Sequence, residues 1–127
     1  MPDNHLFEYA VIRVVPRVER EEFLNVGVIL YCQDLKFLQT KFSFDNERLL
    51  AFFPGLDLEE LREHLCAFEK ISLGSADGGP IARLDLPLRF RWLTAARSTI
   101  VQTSKVHPGL CIDAEETLEK LHGQLVG

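Results

Sequence analysis

The stretch FEYAVIRVV, from Phe7 to Val15, constrains this chain more than any other. It is rich in β-branched and aromatic residues, and apolar side chains occur on both of its alternating faces. That pattern predicts a central strand covered on both sides. Pro16 cannot donate to a ladder and ends the strand. A charged connection, PRVEREE, leads to FLNVGVILY, from Phe23 to Tyr31, the second predicted strand. QDL turns the chain, and KFLQTKF, from Lys36 to Phe42, is the third. Consecutive strands with short links imply an antiparallel meander.

The hydrophobic period then changes. FDNERLLAFFPG offers Asp45 as a helix N-cap and stops at Pro54-Gly55. In LDLEELREHLCAFEKISLG, Asp57 and Glu60 have capping-box spacing, and Leu58, Leu61, Leu65 and Phe68 form one stripe at helical spacing. Gly74 is the expected stop. SADGGPIARLDLP, from Ser75 to Pro87, reads as a loop, LRFRWL, from Leu88 to Leu93, as a fourth strand, and TIVQT, from Thr99 to Thr103, as a fifth. HPG at 107–109 is turn chemistry. DAEETLEKLHGQLVG closes the chain as a helix, with Asp113 and Glu116 at capping-box spacing and Ala114, Leu118, Leu121 and Leu125 as its buried stripe. The order β-β-β-α-α-β-β-α predicts a single α+β domain over residues 1–127, with an internal loop at 74–87. Its core is an antiparallel sheet of about five strands with roughly two or three helices packed on it.

The chain has 127 residues, of which 46% are hydrophobic and 26% charged, enough for a globular core. No apolar run approaches the roughly 20 residues that span a membrane. MPDNHLFEY has neither a basic n-region nor a long apolar h-region, so no secretory signal is expected. Cys32, Cys66 and Cys111 are widely spaced, which suggests reduced, mostly buried thiols and no zinc or redox motif. The net charge of −5 argues against bulk nucleic-acid binding. It is uneven: residues 82–106 hold five Lys/Arg against one Asp, so a local anion site stays open.

Two residues interrupt the second strand. Asn25 and Gly27 fall in phase with Phe23, Ile29 and Tyr31, whereas Leu24, Val26, Val28 and Leu30 make the opposite, uniformly apolar face. Gly within a strand marks a bulge or a close approach by backbone or ligand, and Asn supplies donors and acceptors. On the first strand, Arg13 is a charge in phase with Tyr9 and Val11. The alternatives are a bulge satisfied by Asn25 and Arg13, or a ligand or partner surface.

YAVIRVVPRVEREEFLNVGVILY resembles the opening of a bacterial family of uncharacterised proteins, catalogued as domain of unknown function 3037. FRWLTAARSTIVQTSKVHPGL, followed by DAEETLEKL, resembles its second signature. The resemblance implies a bacterial, cytoplasmic protein and brings no assigned reaction. It points to a HipA-like kinase encoded nearby as a partner, on neighbourhood rather than mechanism. It draws attention to Tyr9, Arg13, Pro16, Glu22, Phe23, Asn25 and Gly27, and to Trp92, Arg97, Ser98, Gln102, His107 and Gly109.

Arg89, Arg91, Arg97, Ser98 and Gln102 form the densest polar group. Guanidinium presents a planar fork suited to phosphate or carboxylate. If the first two strands adjoin the 88–93 strand or its following turn, Arg13, Asn25, Arg91 and Arg97 converge on one anion-binding surface. The competing reading is a solvated Arg face paired with the acidic middle segment, where each surface pair contributes only about 0–1 kcal/mol. Trp92 is expected in the core, and His64 and His122 on exposed helix faces. No histidine has metal-ligand spacing and there is no GxSxG elbow, so neither metal nor cofactor is expected. His107 is the one histidine considered for chemistry. The preferred role is a non-catalytic interaction module that works with another protein. One alternative is a module for a small anion or nucleotide using Arg13, Asn25, Gly27, Arg91, Arg97, Ser98 and Gln102. Another is an enzyme of unassigned reaction using His107.

Overall fold

The computed structural model describes residues 4–97 and 99–126. The strands are β1 (His5–Val14), β2 (Leu24–Cys32), β3 (Phe37–Phe42), β4 (Val101–Thr103) and β5 (His107–Cys111). The helices are α1 (Asn46–Phe52), α2 (Leu58–Leu73), α3 (Leu86–Leu93) and α4 (Ala114–Leu125). Every strand pairing is antiparallel. The sheet runs β3-β2-β1, and β4 and β5 share the remaining side of β1. β4 pairs with residues 12–14 of β1 and β5 with residues 5–9. Ser104 closes the gap between them: its hydroxyl accepts from the Val11 N–H at 2.8 Å, and its own N–H donates to the Val11 carbonyl at 2.8 Å. The fold is thus α+β, and β1 is the central strand.

Both faces of the sheet are covered. Ala10, Ile12, Val14, Val26, Ile29 and Tyr31 pack with α1–α3 through Leu49, Leu61, Leu65, Phe68, Phe90 and Leu93. Phe7, Val28, Leu30 and Cys32 pack with α4 through Ala114 and Leu118. Three caps form locally: the Asp45, Asp57 and Asp113 carboxylates accept from the N–H groups of Arg48, Glu60 and Glu116 at 3.2, 3.0 and 3.0 Å. Gly74 ends α2 at φ 69°, the left-handed conformation that glycine adopts without a Cβ penalty. Cys32 and Cys111 are buried and Cys66 is exposed. No helix among the described residues is long and apolar enough to cross a membrane.

A bulge resolves the second strand. Ile12 faces Gly27, and Arg13 faces Asn25, so Val26 is the extra residue. Contrary to the in-phase expectation, Asn25 and Gly27 therefore point to opposite faces. The apolar row also divides: Val26 joins the α1–α3 core, whereas Val28 and Leu30 join the α4 core. A Cβ on Gly27 would lie 2.6 Å from Phe42 Cδ1 and 2.7 Å from the Lys41 carbonyl oxygen. The glycine is there because the neighbouring strand and its aromatic ring occupy the space a side chain needs.

Two expected elements differ. Residues 88–93 are not a strand; they belong to α3, which starts inside the expected 74–87 loop. That loop also holds a 3-10 turn at Ile81–Arg83. Leu86, Phe90 and Leu93 have i, i+4, i+7 spacing and all pack into the core, and Pro87 in the first turn suits a helix start. Among the described residues the α-helices therefore number four, slightly more than expected. HPG is not a turn but the start of β5, where Pro108 sits on an edge strand that tolerates its missing N–H. Gly109 is required there, because a Cβ would meet Phe7 Cζ at 2.5 Å.

Two substitutions test this packing. Leu65, 5% exposed, should lose on the order of 2–5 kcal/mol of stability as Leu65→Ala, measured by denaturant unfolding. Gly27→Val should also destabilise, by on the order of 1–3 kcal/mol, despite its better strand propensity. A Gly27→Val midpoint at or above wild type would place Phe42 and Lys41 elsewhere.

Candidate functional site

Arg13 is the middle of a polar row that crosses three strands. It faces Asn25 on β2 and Gln102 on β4. The bulge puts Asn25 in this row, and the return of the chain through β4 supplies Gln102. The Arg13 guanidinium carbon lies 4.0 Å from the centroid of the Phe23 ring, a cation–π stack. Beside it opens a cleft of about 410 Å³ lined by Arg13, Val15, Glu21, Phe23, Gln102 and Thr103. Glu21 is held at the rim in a left-handed turn, φ 57°.

The bonding in this row is incomplete. Asn25 donates to the Leu125 carbonyl at 3.2 Å, so its amide holds the end of α4 against β2. Its Oδ1 is buried without a partner, and so is Arg13 Nε. Gln102 donates to the Thr99 carbonyl at 3.0 Å. Among the described residues no carboxylate pairs with Arg13; the ion pairs lie elsewhere, as at Arg20–Glu22 and Lys70–Asp77. A half-buried guanidinium with a ring on one face and no counter-ion is suited to accept a carboxylate or phosphate from outside.

The other expected site residues are dispersed. Gly27 lies under Phe42 on the opposite face. Arg97 stacks on Trp92, 4.4 Å to the ring centroid, and its guanidinium donates to the Trp92 and Ala95 carbonyls at the end of α3. Trp92 is 39% exposed rather than in the core. Arg97 and Trp92 border a separate, mainly apolar groove of about 130 Å³ between α2, α3 and β4, with Phe68, Ile71 and Val101 in its wall. Gln102 and Thr103 border both openings. Arg91 is exposed on the last turn of α3 and lines neither, and Arg89 donates to the Ala82 carbonyl at 3.3 Å. Residues 88–93 lie on β2 as a helix rather than beside it as a strand, with the Phe90 and Tyr31 ring centroids 5.2 Å apart, and neither they nor the following turn bring Arg91 and Arg97 into the cleft that Arg13 lines. His107 is exposed on β5 with its ring centroid 5.4 Å from that of Tyr9. Ser98 lies outside the described residues.

A family model described as a protein of unknown function, DUF3037, matches residues 9–126. The chain belongs to this family. The match spans the strand that carries Arg13, the bulge, both clefts and α4. No curated protein and no solved structure matches the chain.

Sequence reasoning missed one polar cluster. Ser43, just after β3, and His122 on α4 are 2.9 Å apart through Oγ and Nε2, and Lys41 pairs with Glu119 beside them. His122 was expected on an exposed face but is half-buried. Burial, and then the nearby Lys41 charge, hold its pKa below the ordinary imidazole value, with Glu119 opposing. The two residues are 79 positions apart, and neither has a local signal that would pair them.

His122 gives a pH prediction. The unfolded chain takes up a proton at the ordinary imidazole value of 6.5, before the folded protein does. Stability is therefore full above that value and falls as pH drops through it, levelling once the folded imidazole is also protonated. His122→Gln should reduce the decline in Tm between pH about 7.5 and 5.5. An unchanged slope would show that His122 does not couple protonation to folding.

Proposed function

We propose that this protein is a small, non-catalytic binding module that receives an anionic group of another protein in the Arg13 cleft. The observation that carries this reading is Arg13 itself, stacked on Phe23, facing an open cleft, and without a carboxylate partner among the described residues. Leaving a cation half-buried costs free energy that an incoming carboxylate recovers. Arg97 has a different standing: its donors engage two backbone carbonyls at the end of α3, which suits a helix C-terminus. The anion site therefore rests on Arg13 with Gln102 and Asn25 beside it, rather than on an Arg cluster. Glu21 at the rim disfavours a densely charged ligand such as a nucleotide triphosphate and favours a single carboxylate flanked by hydrogen-bond donors. A HipA-like kinase, which the family resemblance suggests, is the first candidate partner to test by co-purification.

The direct test uses small anions. Acetate and inorganic phosphate, titrated against the protein, should raise its stability by RT ln(1 + [L]/Kd), about 2.7 kcal/mol at a hundredfold excess over Kd. Arg13→Met retains a chain to lie on Phe23 and removes the charge. It should weaken anion binding by about 1.5–3 kcal/mol while unfolding normally in their absence. Added salt should weaken binding by screening. Equal affinity in wild type and Arg13→Met would remove the anion site.

A further inference from the structure

Within the sheet, β4 is the outer strand beside the C-terminal half of β1. The Val15 N–H donates to the Ile100 carbonyl at 2.7 Å, and the Ser104 N–H donates to the Val11 carbonyl at 2.8 Å. Antiparallel pairing alternates, so Gln102 turns its peptide groups toward β1, while Val101 and Thr103 turn theirs outward. Of these outward groups, the Val101 carbonyl accepts the Thr99 hydroxyl at 2.7 Å. No strand among the described residues covers the rest. An uncovered edge is a template for a further strand.

This edge separates two openings of opposite character. On one face of the sheet is the cleft with Arg13 and Phe23; on the other is the apolar groove with Phe68, Ile71 and Trp92. Gln102 and Thr103 border both. A strand added to β4 would send successive side chains to opposite faces. The residue opposite Gln102 would point toward Arg13, and its two neighbours would point toward the apolar groove.

We propose that β4 binds an extended segment of another protein in which an acidic residue lies between two apolar residues, by strand addition. The proposal rests on the anion-binding reading of Arg13 and names the chemistry of the partner. Charge complementarity selects the occupant: the cleft presents a cation that no carboxylate among the described residues pairs with, the groove an apolar wall. Spacing selects the acid. The added strand lies two strand separations, about 9.6 Å, from β1. Glu and Arg13 together bridge that gap better than Asp and Arg13. Glu21 at the rim accommodates the N–H groups that accompany a peptide carboxylate.

The test compares two pools of short amidated peptides of identical composition. In one, Glu and apolar residues alternate; in the other, they are in separate blocks. Binding is followed by backbone amide NMR on the full chain. The alternating pool should bind at least about tenfold tighter than the blocked pool, the size of one charge-assisted contact in a set geometry. It should slow hydrogen exchange at the Val101 and Thr103 amides. Arg13→Met should abolish the preference for Glu over Gln and leave the apolar preference in place. Equal binding of the two pools, no binding of either, or amide changes away from β4 would overturn the proposal. A dimer that protects the same amides as protein concentration rises would assign the edge to a second copy and also overturn it. Acetate binding that requires Arg13, without peptide binding, would retain the anion site and reject strand addition; loss of both would reject both readings.

Discussion

The extra residue in β2 determines how the rest of this domain is arranged. Without it, Asn25 would share a face with Ile29 and Tyr31 and would lie in the α1–α3 core. A one-residue change of register sends every later side chain to the opposite face. By inserting Val26 opposite the Ile12–Arg13 step, the strand keeps its apolar residues in both cores and turns Asn25 out beside Arg13. The carbonyl of Val26 is still used, accepting the Ser43 N–H at 2.7 Å, so the irregularity does not leave that acceptor unpaired.

Two side chains tie the end of α4 to the rest of the fold, one of them placed by the bulge. Asn25 reaches the Leu125 carbonyl, and Arg48 on α1 reaches the Val126 carbonyl at 3.0 Å. Two side chains from elements distant in sequence thus satisfy carbonyls at the end of α4, groups that no intrahelical donor reaches. Asn25 is consequently both a structural tie and a wall of the polar row. Of the two readings of this residue open in the sequence alone, the bulge is the one the strand register displays, with the Asn25 amide nitrogen tying α4 to β2.

What the sequence disclosed followed the range of the physics involved. The three Asp caps, the stop at Gly74 and the buried face of α2 depend on residues three or four positions apart and were legible; on α4 Ala114 and Leu118 are buried as expected, whereas Leu121 and Leu125 are only partly so. Residues 88–93 were not legible, because six residues satisfy strand alternation and helical spacing together; the deciding partner, Leu86, lay in the presumed loop. Pro108 and Gly109 carry turn propensity, and only the pairing with Glu8 and Phe7 converts it into edge-strand chemistry. The polar row required knowing that β4 returns beside β1, and the Ser43–His122 contact required knowing where α4 crosses β3. Neither is encoded in a local pattern. The resemblance to the uncharacterised family covered nearly the whole chain and agreed with the matched residues, but it brought no chemistry that could place a ligand.

Local charge proved a poor guide to which cation is available. Within the basic segment 82–106, Arg97 donates from two nitrogens to carbonyls at the end of α3, whereas Arg89 donates to the Ala82 carbonyl and, like Arg13, keeps a buried Nε without a partner. Arg13 comes from a segment of nearly balanced charge, and no carboxylate among the described residues pairs with it. A guanidinium in bulk water is well solvated and gains little from one more partner. One that is half-buried against Phe23 is less well solvated, so an incoming carboxylate competes with less water. The relevant quantity is therefore the number of donors left unengaged at a partly desolvated position. By that measure, and with an open cleft beside it, Arg13 is the position on which the proposed anion site rests.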